Sequence, residues 1–291
     1  MQDLIQLIVN GIALGSVYAL AALGFVIVYS ATGVVNFAAG QFVMLGSFLG
    51  VSTVVQAQWP PALAYPLAIA MMAAFGALFY LAVHLPLRNR PVVSVIIGTV
   101  AVGIALQNAA LLIWDAWPLR MDSPFGNGTL SIGSSTITVH ALACIAITAA
   151  LIAGLYALLH RTGLGRSMRA VAQDVETARL VGLPVGLLLG FSWVLAAVFA
   201  AFAGLLVAPM WFADVNMGDP IALKAFAATI IGGFGSVPGA IAGGLAVGLI
   251  EILGASYISS TYKDLMAFAA MIVFLLVRPQ GIFGERIAER G

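Results

Sequence analysis

Long apolar runs separated by short polar connections repeat along the whole chain. A helix needs about 20 mostly apolar residues to cross the hydrocarbon core of a bilayer. On that ruler the pattern predicts spans over roughly 4–29, 35–56, 62–84, 92–114, 137–159, 186–209, 220–233, 239–257 and 262–278. The seventh is short and ends in glycines, so it reads as broken or re-entrant. No run keeps the apolar–polar alternation of a barrel strand, and most are too long for one. The predicted fold class is an all-α polytopic membrane protein of eight or nine transmembrane helices, with one or two broken or re-entrant segments, in a single transmembrane domain over 1–291. The first apolar run reads as a span rather than a signal peptide, because Met1 to Gln6 holds Asp3 and no basic residue, and the run continues to about Tyr29.

Basic residues orient these spans. Arg88 and Arg90 follow the third, Arg161, Arg166, Arg169 and Arg179 the fifth, and Arg278, Arg286 and Arg290 the ninth. Alternating spans put all of these on one face, expected to be cytoplasmic, and leave Arg120, Lys224 and Lys263 on the other. For nine spans the N-terminus is then outside and the C-terminus inside. Two connections are long enough for structure of their own: an external one, about 115–136, with the turn-rich Gly126-Asn127-Gly128, and an internal one, 160–185, the only strongly charged stretch.

Composition strengthens the membrane reading. Hydrophobic residues make up 62% of the chain, the mean hydropathy is +1.10, and charged residues are only 8%, against about 25% in soluble domains. A net charge of +1 gives no basic face for nucleic acid. The lone cysteine, Cys144, cannot form an internal disulfide, and His84, His140 and His160 are too scattered to suggest a metal site. There is no Gly-x-x-x-x-Gly-Lys-Ser/Thr, no His-Glu-x-x-His and no Gly-x-Ser-x-Gly. Ser134 and His140 lack a carboxylate at orienting spacing, so no catalytic residues are expected.

Three features stand out from ordinary apolar helix. In the internal loop Ser167 can cap a helix, and Gly182 with Pro184 can end it. Between them Met168, Val171, Ala172, Val175 and Ala178 recur at helical spacing, which predicts one helix over 168–181 with an apolar stripe. A helix that rests on anionic headgroups should be mostly basic on its polar side. This one mixes Asp174 and Glu176 with arginines, which equally suits docking in a partner's groove.

The second feature is glycine. Gly11 with Gly15, Gly46 with Gly50, Gly239 with Gly243 and Gly244 with Gly248 allow close helix packing. Segments 31–40 and 232–239 differ, since both combine glycines with polar residues or proline. Interrupted helices of that kind mark pathways in transporters, which makes Asn36, Phe37, Gly40, Gly232, Gly233, Gly235, Pro238 and Gly239 the pathway candidates; no convincing sequence repeat relates the two halves. The third feature is Lys224 and Glu251, placed inside spans at matching depths of roughly 6–9 Å below the outer surface at about 1.5 Å per residue. An uncompensated charge at bilayer depth costs about 2.5–3.5 kcal/mol. Either the two pair across antiparallel helices, or Lys224 snorkels to the headgroups while Glu251 faces water.

Four blocks together resemble the LivH-type permease of bacterial branched-chain amino acid ABC importers over nearly the whole chain. They are Gly11-Ile-Ala-Leu-Gly-Ser-Val-Tyr-Ala-Leu20 running into Asn36-Phe-Ala-Ala-Gly40 with Met44 and Gly46; Arg169-Ala-Val-Ala-Gln-Asp174 with Ala178 and Gly182; Lys224-Ala-Phe-Ala-Ala with Gly232-Gly-Phe-Gly-Ser-Val-Pro-Gly-Ala240; and Tyr262-Lys-Asp264. The chain departs from one branch of the family at Ala39, where a histidine can occur, and around His84 to Arg90. The resemblance implies a multi-pass permease of the inner membrane. Its implied partners are a second homologous permease, expected as a heterodimer, two cytoplasmic ATPases and an external solute-binding protein. It further implies that ATP and Mg are bound on partner subunits, so this chain carries no cofactor. The 160–185 loop becomes the expected coupling loop, with Arg169, Ala170, Gln173, Asp174, Ala178 and Gly182 as the residues that meet the ATPase. The implied solute is a branched-chain or other hydrophobic amino acid, with urea or a short-chain amide as the alternative. From another class, a channel or ion-coupled carrier also fits the composition, although a carrier usually needs several intramembrane carboxylates.

Overall fold

The computed structural model describes residues 2–126, 128–132 and 135–283. Asn127, Ser134, Arg286 and Arg290, singled out above, lie outside the described residues. In chain order the elements are α1 (Gln2–Thr32), α2 (Ala39–Val51) prolonged by a π-helical turn over Ser52–Gln56, and α3 (Pro61–Phe79), which passes through a second π turn (Tyr80–His84) into the single turn α4 (Leu85–Leu87). Then come α5 (Val92–Trp114), the strands β1 (Thr129–Ile132) and β2 (Ser135–Thr138), α6 (Val139–Arg161), and the short pair α7 (Gly163–Gln173) and α8 (Val175–Leu180). Four further helices follow: α9 (Val185–Trp211), α10 (Gly218–Gly232), α11 (Val237–Tyr257) and α12 (Lys263–Val277).

Among the described residues seven helices are long and apolar enough to cross a membrane, fewer than the nine runs in the sequence. The difference lies in α10 and α12, each 15 residues. At about 1.5 Å per residue they reach only about 22 Å, short of the roughly 30 Å core.

Glycine determines which helices form the centre. Side chains of α1 from Ala13 to Val28 are almost wholly buried. Along α1, Gly15 lies against the Leu245 backbone and Gly11 against Leu249, while Gly248 and Gly244 of α11 face Gly15 and Ala19. A Cβ at Gly248 would overlap the Gly15 backbone, so the two helices meet backbone to backbone. A second seam joins α2 to α9, where Gly46 meets Ala201, Gly204 meets Val43, and Ser47 Oγ donates to Gly204 O at 2.8 Å. Phe42, Phe75, Phe79 and Trp193 stack in succession to bind α3 to that seam. By contrast α3, α5, α6 and α12 turn large apolar side chains outward, among them Leu78, Ile97, Leu112 and Leu276.

The connection between α5 and α6 holds the antiparallel β1–β2 pair, with Leu130 opposite Ile137, and Leu119 is bridged to Ala213. β2 runs straight into α6, whose first turn is capped by Thr138 accepting from the Ala141 amide. The connection between α6 and α9 differs from the single helix expected over 168–181. Thr162, not Ser167, caps it: the Thr162 hydroxyl accepts from the Gly165 amide at 3.0 Å. The helix then breaks at Asp174, whose backbone is extended (φ −156°, ψ 108°) and whose carboxylate accepts from the amides of Glu176 and Thr177 to start α8. A short acceptor side chain competes with helix continuation wherever it can cap the next turn.

Candidate translocation pathway

Two helix interruptions meet at half depth. After α1 the chain turns at Gly33 (φ 70°) and runs without helix to Ala38. Asn36 Oδ1 accepts from the Ala38 amide at 3.0 Å, which fixes the turn into α2. After α9 the chain turns at Phe212, a non-glycine at φ 68°, ψ 154°, a conformation that strongly favours glycine. It stays non-helical until α10 begins at Gly218. The starts of α2 and α10 touch, since Gly40 and Gly218 pack with no room for a Cβ at Gly40. Beside them Gln41 Nε2 donates to Asp219 Oδ1 at 2.6 Å.

Helix α5 sets the depth of this junction. Gly103, its middle residue of 23, packs on the Gln41 side chain. One turn away the Thr99 hydroxyl accepts from the Phe37 amide at 3.2 Å, and on the other side Gln107 Nε2 donates to Asn216 Oδ1 at 3.2 Å. An α5 of about 34 Å matches the core thickness, so an α5 centred in the bilayer would set Gly103 near the midplane. Asn36, Gln41 and Thr99 are buried there, whereas Phe37, Asn216 and Asp219 are exposed on the surface of the single chain. Asp219 gains about 0.3–1 kcal/mol from the first turn of α10. That is less than the roughly 2.5–3.5 kcal/mol that a charge costs at bilayer centre, so its open side requires water or a polar partner, not lipid.

Of the sequence candidates, Asn36, Phe37 and Gly40 fall in this junction. Gly232, Gly233, Gly235, Pro238 and Gly239 do not; they form the tight turn between α10 and α11 at the end of the bundle where α1 also ends. There Gly232 faces Gly239, Phe234 packs edge-on to Tyr29, and the Ile282 amide donates to Ile231 O. Ser236 caps α11 by accepting from the Gly239 amide at 3.2 Å, with Pro238 in the first turn. Gly232 and Gly239 allow the close approach, while Gly233 (φ 107°) and Gly235 (φ 85°) take turn conformations that favour glycine. The second interruption is instead 212–217, and Gln41, Gln107, Asn216 and Asp219 were not singled out by sequence. Their one signal was amide and carboxylate side chains in or beside apolar runs.

A separate charge cluster ties α10, α11 and α12 to α1. Lys224 Nζ lies 2.7 Å from Glu251 Oε1 and 2.7 Å from Asp264 Oδ1. Tyr18 donates its hydroxyl to Glu251 Oε2 at 2.7 Å, and Lys263 Nζ is 3.8 Å from Glu251. Trp211 lies under both cations, 5.4 Å from Lys224 and 5.6 Å from Lys263. Lys224 and Glu251 are 2% and 1% exposed, which excludes a snorkelling lysine. Two acids and two bases make the cluster neutral, and its depth therefore carries no uncompensated charge.

The internal α7–α8 pair packs through Met168, Val171 and Ala178 on Val185 and Leu188 of α9. Ala178 is thus buried, Ala170 half-buried, and Arg169, Gln173, Asp174 and Gly182 exposed. Gly182, at φ 83°, ends α8 with Leu183 N donating to Ala178 O and Gly182 N to Arg179 O. The tip so formed exposes Leu180 and Val181. Hydrogen bonds from the Thr177 hydroxyl and amide hold the Asp174 carboxyl below the usual carboxylate range. No cluster of metal-ligating side chains occurs among the described residues.

Residues 7–275 match the family described as "Branched-chain amino acid transport system / permease component". The chain is 33% identical over 300 residues to the high-affinity branched-chain amino acid transport system permease protein BraD of Pseudomonas aeruginosa, covering 98% of this chain and 97% of that one. It is also 33% identical over 302 residues to the high-affinity branched-chain amino acid transport system permease protein LivH of Escherichia coli, again covering 98% and 97%. The solved structure of PsaBC from Streptococcus pneumoniae in complex with Fab superposes with a TM-score of 0.52 at 13% identity, covering 97% of this chain and 94% of that one, which is a likeness of fold. The chain belongs to the branched-chain amino acid transport system permease family and is a multi-pass integral membrane protein.

Proposed function

We propose that this permease forms one half of the import pathway for a branched-chain or other hydrophobic amino acid, and that a second, homologous permease closes its open face. The observation that carries this reading is the junction of α2 and α10 beside Asp219. It is a polar, exposed surface at half depth, backed by buried Asn36 and Gln41. Such a surface cannot rest against lipid, and a facing subunit would enclose it as a passage. The solute class is supported by the transport named for the relatives at 33% identity.

Transport by this family uses separate ATPase and binding-protein subunits. The exposed tip of α7–α8, with Arg169, Gln173, Asp174 and Gly182 around Leu180 and Val181, is suited to seat in an ATPase groove. Its base is fixed to α9 through Met168, Val171 and Ala178, so a push on the tip would reach the helix that leads to the 212–217 interruption.

The test is reconstitution of this chain with its partner permease, ATPases and binding protein in proteoliposomes. ATP-dependent uptake of L-[14C]leucine that requires the binding protein is the expected result. Uptake of urea or acetamide but of no amino acid would replace the solute class. Uptake driven by an ion gradient without ATPases would overturn the importer reading altogether.

A further inference from the structure

We infer that Asp219 is a recognition group in the pathway that binds the α-ammonium of the amino acid in transit, held in position by Gln41. The inference rests on the import reading above and adds the part of the solute that this chain senses. Asp219 is exposed, yet it lies beside Gln41, which packs on the middle residue of α5. A carboxylate at that depth has to be balanced. Glu251, a carboxylate buried in α11, is balanced within the chain by Lys224 and Tyr18. Asp219 is not: among the described residues no lysine, arginine or histidine forms an ion pair with it, and its one side-chain partner is the neutral Gln41 amide.

Gln41 is only 4% exposed, and among the described residues its Oε1, beside Gly103, has no hydrogen-bond partner. Burying an amide with one end unsatisfied is unfavourable, and what it accomplishes is to fix one carboxylate oxygen of Asp219. Among the described residues no side chain donates to the other oxygen, and Asp219 is exposed. An ammonium group offers three donors and a charge of the right sign for that oxygen. The exposed ring of Phe37, four residues before Gln41, offers apolar surface on the same segment for an aliphatic side chain. An isolated amide or hydroxyl solute would leave the carboxylate uncompensated during passage, while a zwitterion brings the missing cation with it.

The experiment uses the complete complex in proteoliposomes, with assembly followed by size-exclusion chromatography. Asp219→Asn should lower binding-protein-dependent L-leucine uptake at least ten-fold in an assembled complex, and Asp219→Glu should retain a third or more. A second measurement does not depend on uptake. With Cys144→Ala as background, Asn216→Cys is labelled by a methanethiosulfonate reagent, and L-leucine at millimolar concentration should slow labelling at least three-fold. The des-amino analogue 4-methylpentanoate at the same concentration should not. Uptake by Asp219→Asn within two-fold of the parent, or equal protection by the two compounds, would overturn the inference. So would an Asp219→Asn complex whose permeases separate and are rejoined by a compensating change on the partner, which would make Asp219 half of an inter-subunit ion pair. Failure of the parent complex to take up L-leucine would count against the import reading instead.

Discussion

Two carboxylates in the membrane part of this permease, Glu251 and Asp219, are treated in opposite ways. Glu251 is 1% exposed, paired with Lys224 and hydrogen-bonded by Tyr18, on the side where α1, α10, α11 and α12 close on one another. Asp219 is exposed, fixed by one neutral amide and left open on its other side. The first arrangement neutralises charge so that helices can pack; the second keeps a charge available at half depth. Glycine marks a different division, between packed seams and outward faces. On the closed side Gly15, Gly244 and Gly248 leave no room for a Cβ. On outward-facing α6, Gly154 has nothing within 4 Å.

The sharpest way to break this contrast is to remove the cation from the closed side. Lys224→Met leaves Glu251 buried without its principal partner, and breaking a buried pair costs about 3–5 kcal/mol. Fluorescence-detected size-exclusion chromatography after heating should show a large loss of the folded monodisperse peak. Glu251→Gln added to Lys224→Met should cost little more, since the stranded charge is then gone. An unchanged melting profile for Lys224→Met would mean that the cluster does not hold the bundle.

Overpacking comes next. Gly248→Val drives a side chain into the Gly15 backbone and should cost about 1–3 kcal/mol or more, with loss of yield. Gly154→Ala meets open space and should leave the melting temperature unchanged. Equal effects of the two would erase the distinction between a packed seam and an outward face.

Asp264 tests how far the closed cluster extends toward water. Its side chain is 53% exposed although it lies 2.7 Å from Lys224, so solvent screens the contact and Asp264→Asn should cost at most about 1 kcal/mol. A loss as large as that of Lys224→Met would place Asp264 among the essential ties.

The Lys224–Glu251 contact was partly legible in advance. Both residues interrupt apolar runs, and counting helical rise puts them at one depth. With Gly218 at half depth, however, Lys224 lies six residues beyond it along α10, not roughly 6–9 Å below the outer surface. Asp264 was not legible as a third member, because it opens a run and reads as an external residue. Only the return of α12 beside α10 brings it to Lys224. The same limit applies to the residues of the α2–α10 junction. Asn36 and Gly40 could be found because an asparagine and glycines interrupt a long apolar run. Segment 212–217 looks like an ordinary connection until Gly218 is seen against Gly40.

The smallest effect is expected at the internal loop, which belongs to neither side of the comparison and so serves as its control. Asp174→Ala should raise hydrogen exchange at the Glu176 and Thr177 amides several-fold and leave the bundle untouched. The Asp174 carboxyl is held low by Thr177, so the cap is fully present above the ordinary value of about 3.9. It is lost only as pH falls through the depressed folded value. After correction for intrinsic rates, exchange at those two amides should therefore be the same at pH 7 and pH 5. A rise at pH 5 would contradict the cap geometry.

By itself the sequence determined the class of the protein, because burying backbone polar groups in lipid leaves helices as the available answer for long apolar runs. It determined the close-packed glycine stripes for the same local reason, since residues four apart share a helix face. The family likewise follows from four blocks of side chains at fixed spacing. Tertiary structure decided which helices are short and where they start. It set the Gly40–Gly218 junction at half depth, left Asp219 open and closed Lys224 on two carboxylates. Each of these depends on contacts between residues more than 25 positions apart in the chain, and no periodicity within a single helix encodes which partner a face will meet.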